Sequence, residues 1–263
     1  MKKLLLSFAL ISFSLYSSFT FGFAQSTEDM DQNQNQFVNS KDFNFVAAGD
    51  FGCNEDAKKT TQVMANENPE ILIALGDLTE SKSPDCWFDM ISLLKNVSNL
   101  KISFGWHDVS SDENTYSQYL KHFNLTEPYY SFDYDNVHFL AMATAKNKVI
   151  PYNDTSQQYQ FIKNDLIEAN NNKNINWIVV LSYRPFYSSN TTHPGLDKLQ
   201  NDYHELFDKY NVDIVLQAHN HNYQRTYPLS YNPTEQFAPI ITDKNTDHYS
   251  NLENGQIFFT VGT

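Results

Sequence analysis

Five short apolar runs in this sequence each end on groups that bind cations or move protons. Residues 45–48 run into Gly49-Asp50-Phe51-Gly52, and residues 71–75 into Gly76-Asp77-Leu78-Thr79-Glu80. Residues 102–104 lead to Gly105-Trp106-His107-Asp108, residues 178–181 to Ser182-Tyr183-Arg184-Pro185, and residues 214–217 to Ala218-His219-Asn220-His221. Carboxylate oxygens and imidazole nitrogens together suit divalent ions such as Zn, Mn or Fe. A carboxylate placed between two ions can bridge them, as a two-metal centre requires. The glycine before each aspartate lets the backbone leave its strand sharply. In His219-x-His221 an extended backbone aims both imidazoles to one side. A lone Gly-Asp is usually a turn and a lone His-x-His is often incidental, so the ordered set carries the argument.

For these groups to meet, the apolar runs must be strands whose carboxyl ends share one rim, the place where open α/β sheets bind ligands. Apolar runs and periodicity predict strands over 43–48, 71–75, 101–104, 130–134, 137–143, 177–181, 212–217 and 257–261. They predict helices over 55–66, 87–94, 116–122, 156–170 and 196–210. Asp135-Asn136 reads as the turn of a hairpin. Alternating strands and helices give an α/β fold, and no internal repeat is present.

The first 24 residues have the layout of a secretory signal peptide: two lysines, an uncharged apolar run, then Gly22-Phe23-Ala24 as a small-x-small cleavage pattern. An uncleaved membrane anchor is the other reading of that run. Residues 25–41 are rich in Asn, Gln, Asp and Ser and read as a flexible polar linker. One ordered domain is expected over 42–263, long enough to bury a sizeable core. The chain stops directly after a strand, as a piece of a longer protein would. Its formal charge of −13 makes nucleic acid an unfavoured partner. Sequons at Asn96, Asn124, Asn153 and Asn190 fit surface loops of an exported, secreted, periplasmic or cell-surface protein.

The order and spacing of the five motifs resemble the blocks of calcineurin-like metallophosphoesterases. The tract VDIVLQAHNHNYQRTYP from Val212 to Pro228 and the tract YYSFDYDNVHF from Tyr129 to Phe139 are similar to the purple acid phosphatase branch. The resemblance runs from about Phe43 to the C-terminus. It implies a four-layer α/β/β/α sandwich with a binuclear site of Fe, Zn or Mn ions on the rim. By this resemblance Asp50 binds the first metal, Asp77 bridges both, His221 completes the first site and His219 serves the second.

Three positions depart from the branch. Glu80 stands where an iron-bound tyrosine is usual; glutamate ligates hard cations, but the charge-transfer colour should be absent. Trp106 replaces the asparagine ligand, and an indole offers no acceptor to a cation. Tyr183 replaces a histidine ligand, and a phenol is a poor ligand unless the metal deprotonates it. Both of the last two changes fall on the second metal. His107, with Asp108 beside it, matches the histidine that faces the phosphate and assists the leaving group. His193 lies in a loop whose histidine approaches substrate in similar enzymes. Arg225 reads as a structural ion-pair residue rather than a phosphate contact. The implied fold makes the loops bearing Cys53 and Cys86 neighbours, so a disulfide is expected there, with two buried thiols as the alternative.

Two functions follow from the resemblance. The first is a metal-dependent phosphoesterase, acting on phosphomonoesters with a degenerate second metal site. The other is an inactive descendant that binds metal or phosphorylated ligands.

Overall fold

The computed structural model describes residues 43–80, 83–92, 94, 99–109, 113–189, 191–235, 237–246 and 255–263. The expected leader, the linker and the sequons at Asn96 and Asn190 lie outside them. Among the described residues no helix is long and apolar enough to cross a membrane.

Two sheets carry the site. Strands β1 (Phe45–Ala48), β2 (Ile71–Leu75) and β3 (Leu100–Ser103) form a parallel sheet in the order β1-β2-β3. The larger sheet has the order β4-β5-β6-β7-β11-β8. It is built from β4 (Tyr130–Tyr134), β5 (Val137–Ala141), β6 (Trp177–Leu181), β7 (Ile214–Gln217), β8 (Tyr223–Arg225) and β11 (Ile257–Val261). Only its outer pairs, β4/β5 and β8/β11, are antiparallel. A small antiparallel pair, β9 (Leu229–Ser230) and β10 (Ile240–Ile241), is joined to the start of β11 by a Leu229–Gln256 bridge.

Every residue of β2, Ile-Leu-Ile-Ala-Leu, is buried, as expected of a parallel strand covered on both faces. On one side the small sheet packs on the large one: Phe45 meets Phe139 edge-on with ring centres 5.4 Å apart, and Phe139 stacks on Phe132 at 4.9 Å. On the other side lie helices α1 (Glu55–Asn66), α2 (Asp85–Ser92) and α3 (Glu113–His122), burying Ala57, Met64, Trp87 and Tyr119. The far face of the large sheet, with Leu140, Ile178, Val180 and Phe258, is covered by two more helical runs. These are α4 (Gln157–Asn171) and a run that starts as α5 (Asp197–Leu199), widens through a π-helical turn Gln200–His204 and ends as α6 (Glu205–Lys209). The result is the expected α/β/β/α sandwich.

Most elements fall where the apolar pattern puts them, and the differences have local causes. α2 begins at Asp85, two residues early, because Ser83 and Asp85 hydrogen-bond ahead of its first turn. β5 ends at Ala141, since the Ala143 amide turns to the Gln158 side chain at 2.7 Å instead of a strand. The strands β8 to β10 are short and carry no apolar alternation, so nothing in their sequence marks them. The last strand is paired on both edges, by β7 and β8.

Cys53, after β1, and Cys86, on α2, form the expected disulfide, with Cα atoms 6.1 Å apart. It ties the loop that follows Asp50 to the helix that follows Glu80. Serine at both positions is expected to lower unfolding stability by about 2–4 kcal/mol through the freed unfolded chain. Urea denaturation measures this, and an unchanged midpoint would show that the bridge adds nothing.

Candidate metal centre

The rim forms where the carboxyl ends of both sheets meet, and the backbone there is tightly constrained. The Gly49 amide donates to the Val261 carbonyl at 2.8 Å, the Asp50 amide to Gly76 at 2.9 Å, and the Gly52 amide to Asp77 at 3.1 Å. Gly105 admits no side chain, because a Cβ there would stand 2.0 Å from the Asp77 nitrogen. Asp50, Asp77 and His219 all adopt left-handed backbone, at φ of 58°, 46° and 70°. Non-glycine residues hold such angles only where their surroundings enforce them, and such positions gather at functional sites.

Asp50, Asp77 and His219 present ligand atoms that all lie within 4.8 Å of one another, a group that could hold a metal ion. Asp50 is the member that fits a cation best. It is 6% exposed, and neither carboxylate oxygen has a hydrogen-bond partner. A buried carboxylate without a partner is strongly penalised. Burial therefore raises its pKa to about 8, with repulsion from Asp77, Asp108 and Glu80 adding to it and the nearby His219 backbone N–H, too poorly aligned for a full hydrogen bond, offsetting part of the rise.

Asp77, by contrast, is fully engaged. One oxygen accepts from the Tyr183 hydroxyl at 2.7 Å, and the other from the His107 backbone N–H at 2.8 Å. The Tyr183 oxygen lies 2.6 Å from His219 Nδ1, and His219 Nε2 lies 3.4 Å from Arg184 Nη1. Since the Tyr183 proton goes to Asp77, the network assigns the Nδ1–H tautomer to His219, which donates to Tyr183 and accepts from Arg184. Donors then point one way from Arg184 through His219 and Tyr183 to Asp77. Burial and then the Arg184 charge hold the His219 pKa down at about 3, so the ring is neutral as this chain requires. Burial and the Asp77 charge raise the Tyr183 pKa, keeping the phenol protonated.

The remaining candidates separate. His193 packs on His219, ring centres 3.8 Å apart, and its carbonyl accepts from Asn220 Nδ2 at 2.7 Å. His107 is exposed at the rim. Asp108, expected beside it, does not face the rim: it is completely buried, accepting the Gly105 amide on one oxygen and those of Leu78 and Thr79 on the other. It clamps the turns after β2 and β3, and burial followed by Asp77 repulsion raises its pKa to about 8. The His-x-His segment is not extended. It bends at His219, so His221 is exposed and stands outside the Asp50-Asp77-His219 group, as does the exposed Glu80. Among the described residues Arg225 does not form the expected ion pair; its Nη2 donates to the Thr246 carbonyl at 2.7 Å.

Two cations that sequence reasoning passed over also border the site. Lys146 Nζ sits 4.4 Å and the Arg184 guanidinium 5.0 Å from the centre of the Trp106 ring. Arg184 adjoins Tyr183 in the chain, but Lys146 lies in the loop after β5, which carries no motif.

A family model for calcineurin-like phosphoesterases matches residues 43–223. Purple acid phosphatase 21 of Arabidopsis thaliana is 26% identical over 216 residues, which span 74% of this chain and 48% of that protein. Among solved structures, the purple acid phosphatase PPD1 from yellow lupin (Lupinus luteus) seeds is similar with a TM-score of 0.63 at 23% identity, over 82% of this chain and 43% of that one. GAP50, the anchor in the inner membrane complex of Plasmodium, is similar with a TM-score of 0.54 at 16% identity, over 83% of this chain and 70% of that one. The chain spans about half the length of the curated relatives it matches.

The Asp50 geometry gives a signed pH dependence. Folded Asp50 keeps its proton up to about 8, whereas an unfolded aspartate releases it near ~3.9. Between these values the native state binds the extra proton, so metal-free stability falls as pH rises. Asp50→Asn removes this loss and is expected to stabilise the chelator-treated protein at pH 8 by roughly 1–3 kcal/mol, the penalty of an unpaired buried polar group. The same change should abolish metal binding, because the ion needs the ionised carboxylate. Thermal melts at pH 5 and pH 8 with elemental analysis test both parts, and parallel pH profiles for the two proteins would contradict the assignment.

Proposed function

The chain belongs to the calcineurin-like phosphoesterase family, and from that premise we propose that it is a metal-dependent phosphoric ester hydrolase with one dependable metal position. The observation that carries this reading is the Asp50 carboxylate, buried and unpartnered beside Asp77. Asp50 and Asp77 would hold the ion, with Glu80 and His221 at its exposed edge; His219, the third group of the cluster, would reach it with Nε2 in place of its 3.4 Å contact with Arg184. The bound ion would supply a Lewis acid toward a phosphoryl oxygen.

The chain's own residues do the rest. His107 is exposed at the rim with its backbone anchored on Asp77, a position from which an imidazole can protonate a leaving alkoxide. His193, half-buried, is held against His219, from where it would approach the substrate. Asp108 touches no substrate; it positions His107 by fixing the turn from Gly105. A phosphomonoester is the favoured substrate, and the −13 charge disfavours nucleic acid.

The second metal position is degenerate in this reading. Trp106 offers no ligand atom, and the Tyr183 hydroxyl already joins Asp77 to His219. Export is part of the same proposal. The leader-like first 24 residues support it, as does the Cys53–Cys86 disulfide, a bond that persists in oxidising compartments. The Tyr183 contact also favours a second reading, a non-catalytic binder of metal or phosphorylated ligands. GAP50, of similar fold, is described as an anchor.

Elemental analysis together with an aryl phosphate assay in added Mn, Zn or Fe decides between the two. One ion per chain with slow, metal-dependent turnover is expected. Absence of turnover with every metal would leave only the binding role. The double change Trp106→Asn with Tyr183→His is expected to raise metal content and turnover together; a rise in neither would refute the degeneracy.

A further inference from the structure

The contact between Tyr183, Asp77 and His219 fills one gap with a neutral group, yet a phosphate ester brings negative charge that a second ion would otherwise meet. The side chains that converge beside this gap are cationic. Lys146 and Arg184 come from the loops after β5 and β6, and both lie over the Trp106 ring. Thr144 fixes the two loops together: its hydroxyl accepts the Tyr183 and Arg184 amides at 3.1 Å and 3.0 Å. Arg184 Nε reaches the Ala145 carbonyl at 3.4 Å, directly before Lys146.

This arrangement is unfavourable by itself. Two like charges share one indole ring, and no carboxylate ion pair involves either of them among the described residues. Long side chains also lose rotamer freedom when held. Trp106 is 43% exposed, unusual for so large an apolar side chain. Cation–π contact accounts for its exposure, because an indole at the rim orders both cations before a ligand arrives. Arg184 is half-buried with its guanidinium facing the site through His219, and guanidinium matches phosphate oxygens in pairs.

We infer that Lys146, Arg184 and Trp106 form a metal-independent phosphate-binding fork that takes the electrostatic place of the second metal ion. The substitution at Trp106 is then a gain rather than a simple loss. An asparagine there would serve an ion, whereas the indole serves two fixed protein charges. This inference deepens the phosphoesterase reading and rests on it for the identity of the anion.

Calorimetric titration of the chelator-treated full chain with inorganic phosphate tests the fork. Binding without metal is expected, and Arg184→Gln and Lys146→Gln should each weaken it by about tenfold or more, as loss of one charge-assisted contact does. Zinc titration of the unsubstituted protein should saturate at one ion. No phosphate binding without metal, affinities unchanged in both variants, or two zinc ions per chain would each overturn the fork. Lys146 is partly solvent-exposed, so its variant stays informative if the Arg184 variant misfolds. Phosphate binding through the fork without aryl phosphate turnover would refute only the hydrolase reading. Turnover with phosphate affinity indifferent to both substitutions would refute only the fork.

Discussion

The Asp77 carboxylate accepts the Tyr183 hydroxyl on one oxygen and the His107 backbone on the other, so a single buried charge ties the ends of β2, β3 and β6. Through Tyr183 the same charge reaches His219 at the end of β7. The rim cannot be assembled without this junction, because its members come from both sheets and are far apart in sequence. The glycines permit it. Asp77 fits only because Gly105 has no side chain to collide with it, and the turn is held from behind by Asp108. A carboxyl group buried here demands donors, and the fold supplies them to both oxygens of Asp77 and Asp108, whereas Asp50 has only the nearby His219 amide.

That contrast divides the site. Asp77 and Asp108 have both carboxyl oxygens met by protein donors, the usual requirement for a buried polar group. Asp50 does not, and a cation is the missing partner that its chemistry specifies. On the other side of Asp77, the donor chain from Arg184 satisfies each polar group in turn and leaves no acceptor open. One half of the rim is short of positive charge, while the other has gathered two protein cations around Trp106. The electrostatics are therefore lopsided where a two-metal site would be balanced.

Much of this was legible in the chain. Strand ends bearing Gly-Asp, Gly-Asp, Gly-Trp-His-Asp and His-Asn-His mark the rim, since buried parallel strands are continuous apolar runs that stop abruptly. The runs 55–66, 71–75, 130–134 and 177–181 are the observed elements themselves. Short strands such as Tyr223–Arg225 were not legible, because their pairing with β11 is decided by a distant strand and not by their own pattern. The place of Asp108 was not legible for a related reason: the chain sets it beside a rim histidine, but the approach of the turn after β2 buries it and gives its oxygens three backbone amides.

The sequence by itself determined the alternation of strands and helices and the residue types delivered to the rim, because these follow from local periodicity and motif order; the family and its layer order came with the resemblance of those motifs. It also determined that Trp106 offers no acceptor to a cation and that Tyr183 would ligate only once deprotonated, since these are properties of indole and phenol. Only the tertiary structure decided what those residues do instead. The backbone bends at His219 and leaves His221 exposed, the Tyr183 hydroxyl lands between Asp77 and His219, and Lys146 arrives from a loop with no motif. Each depends on the approach of segments remote in sequence, a distance that one-dimensional pattern does not encode.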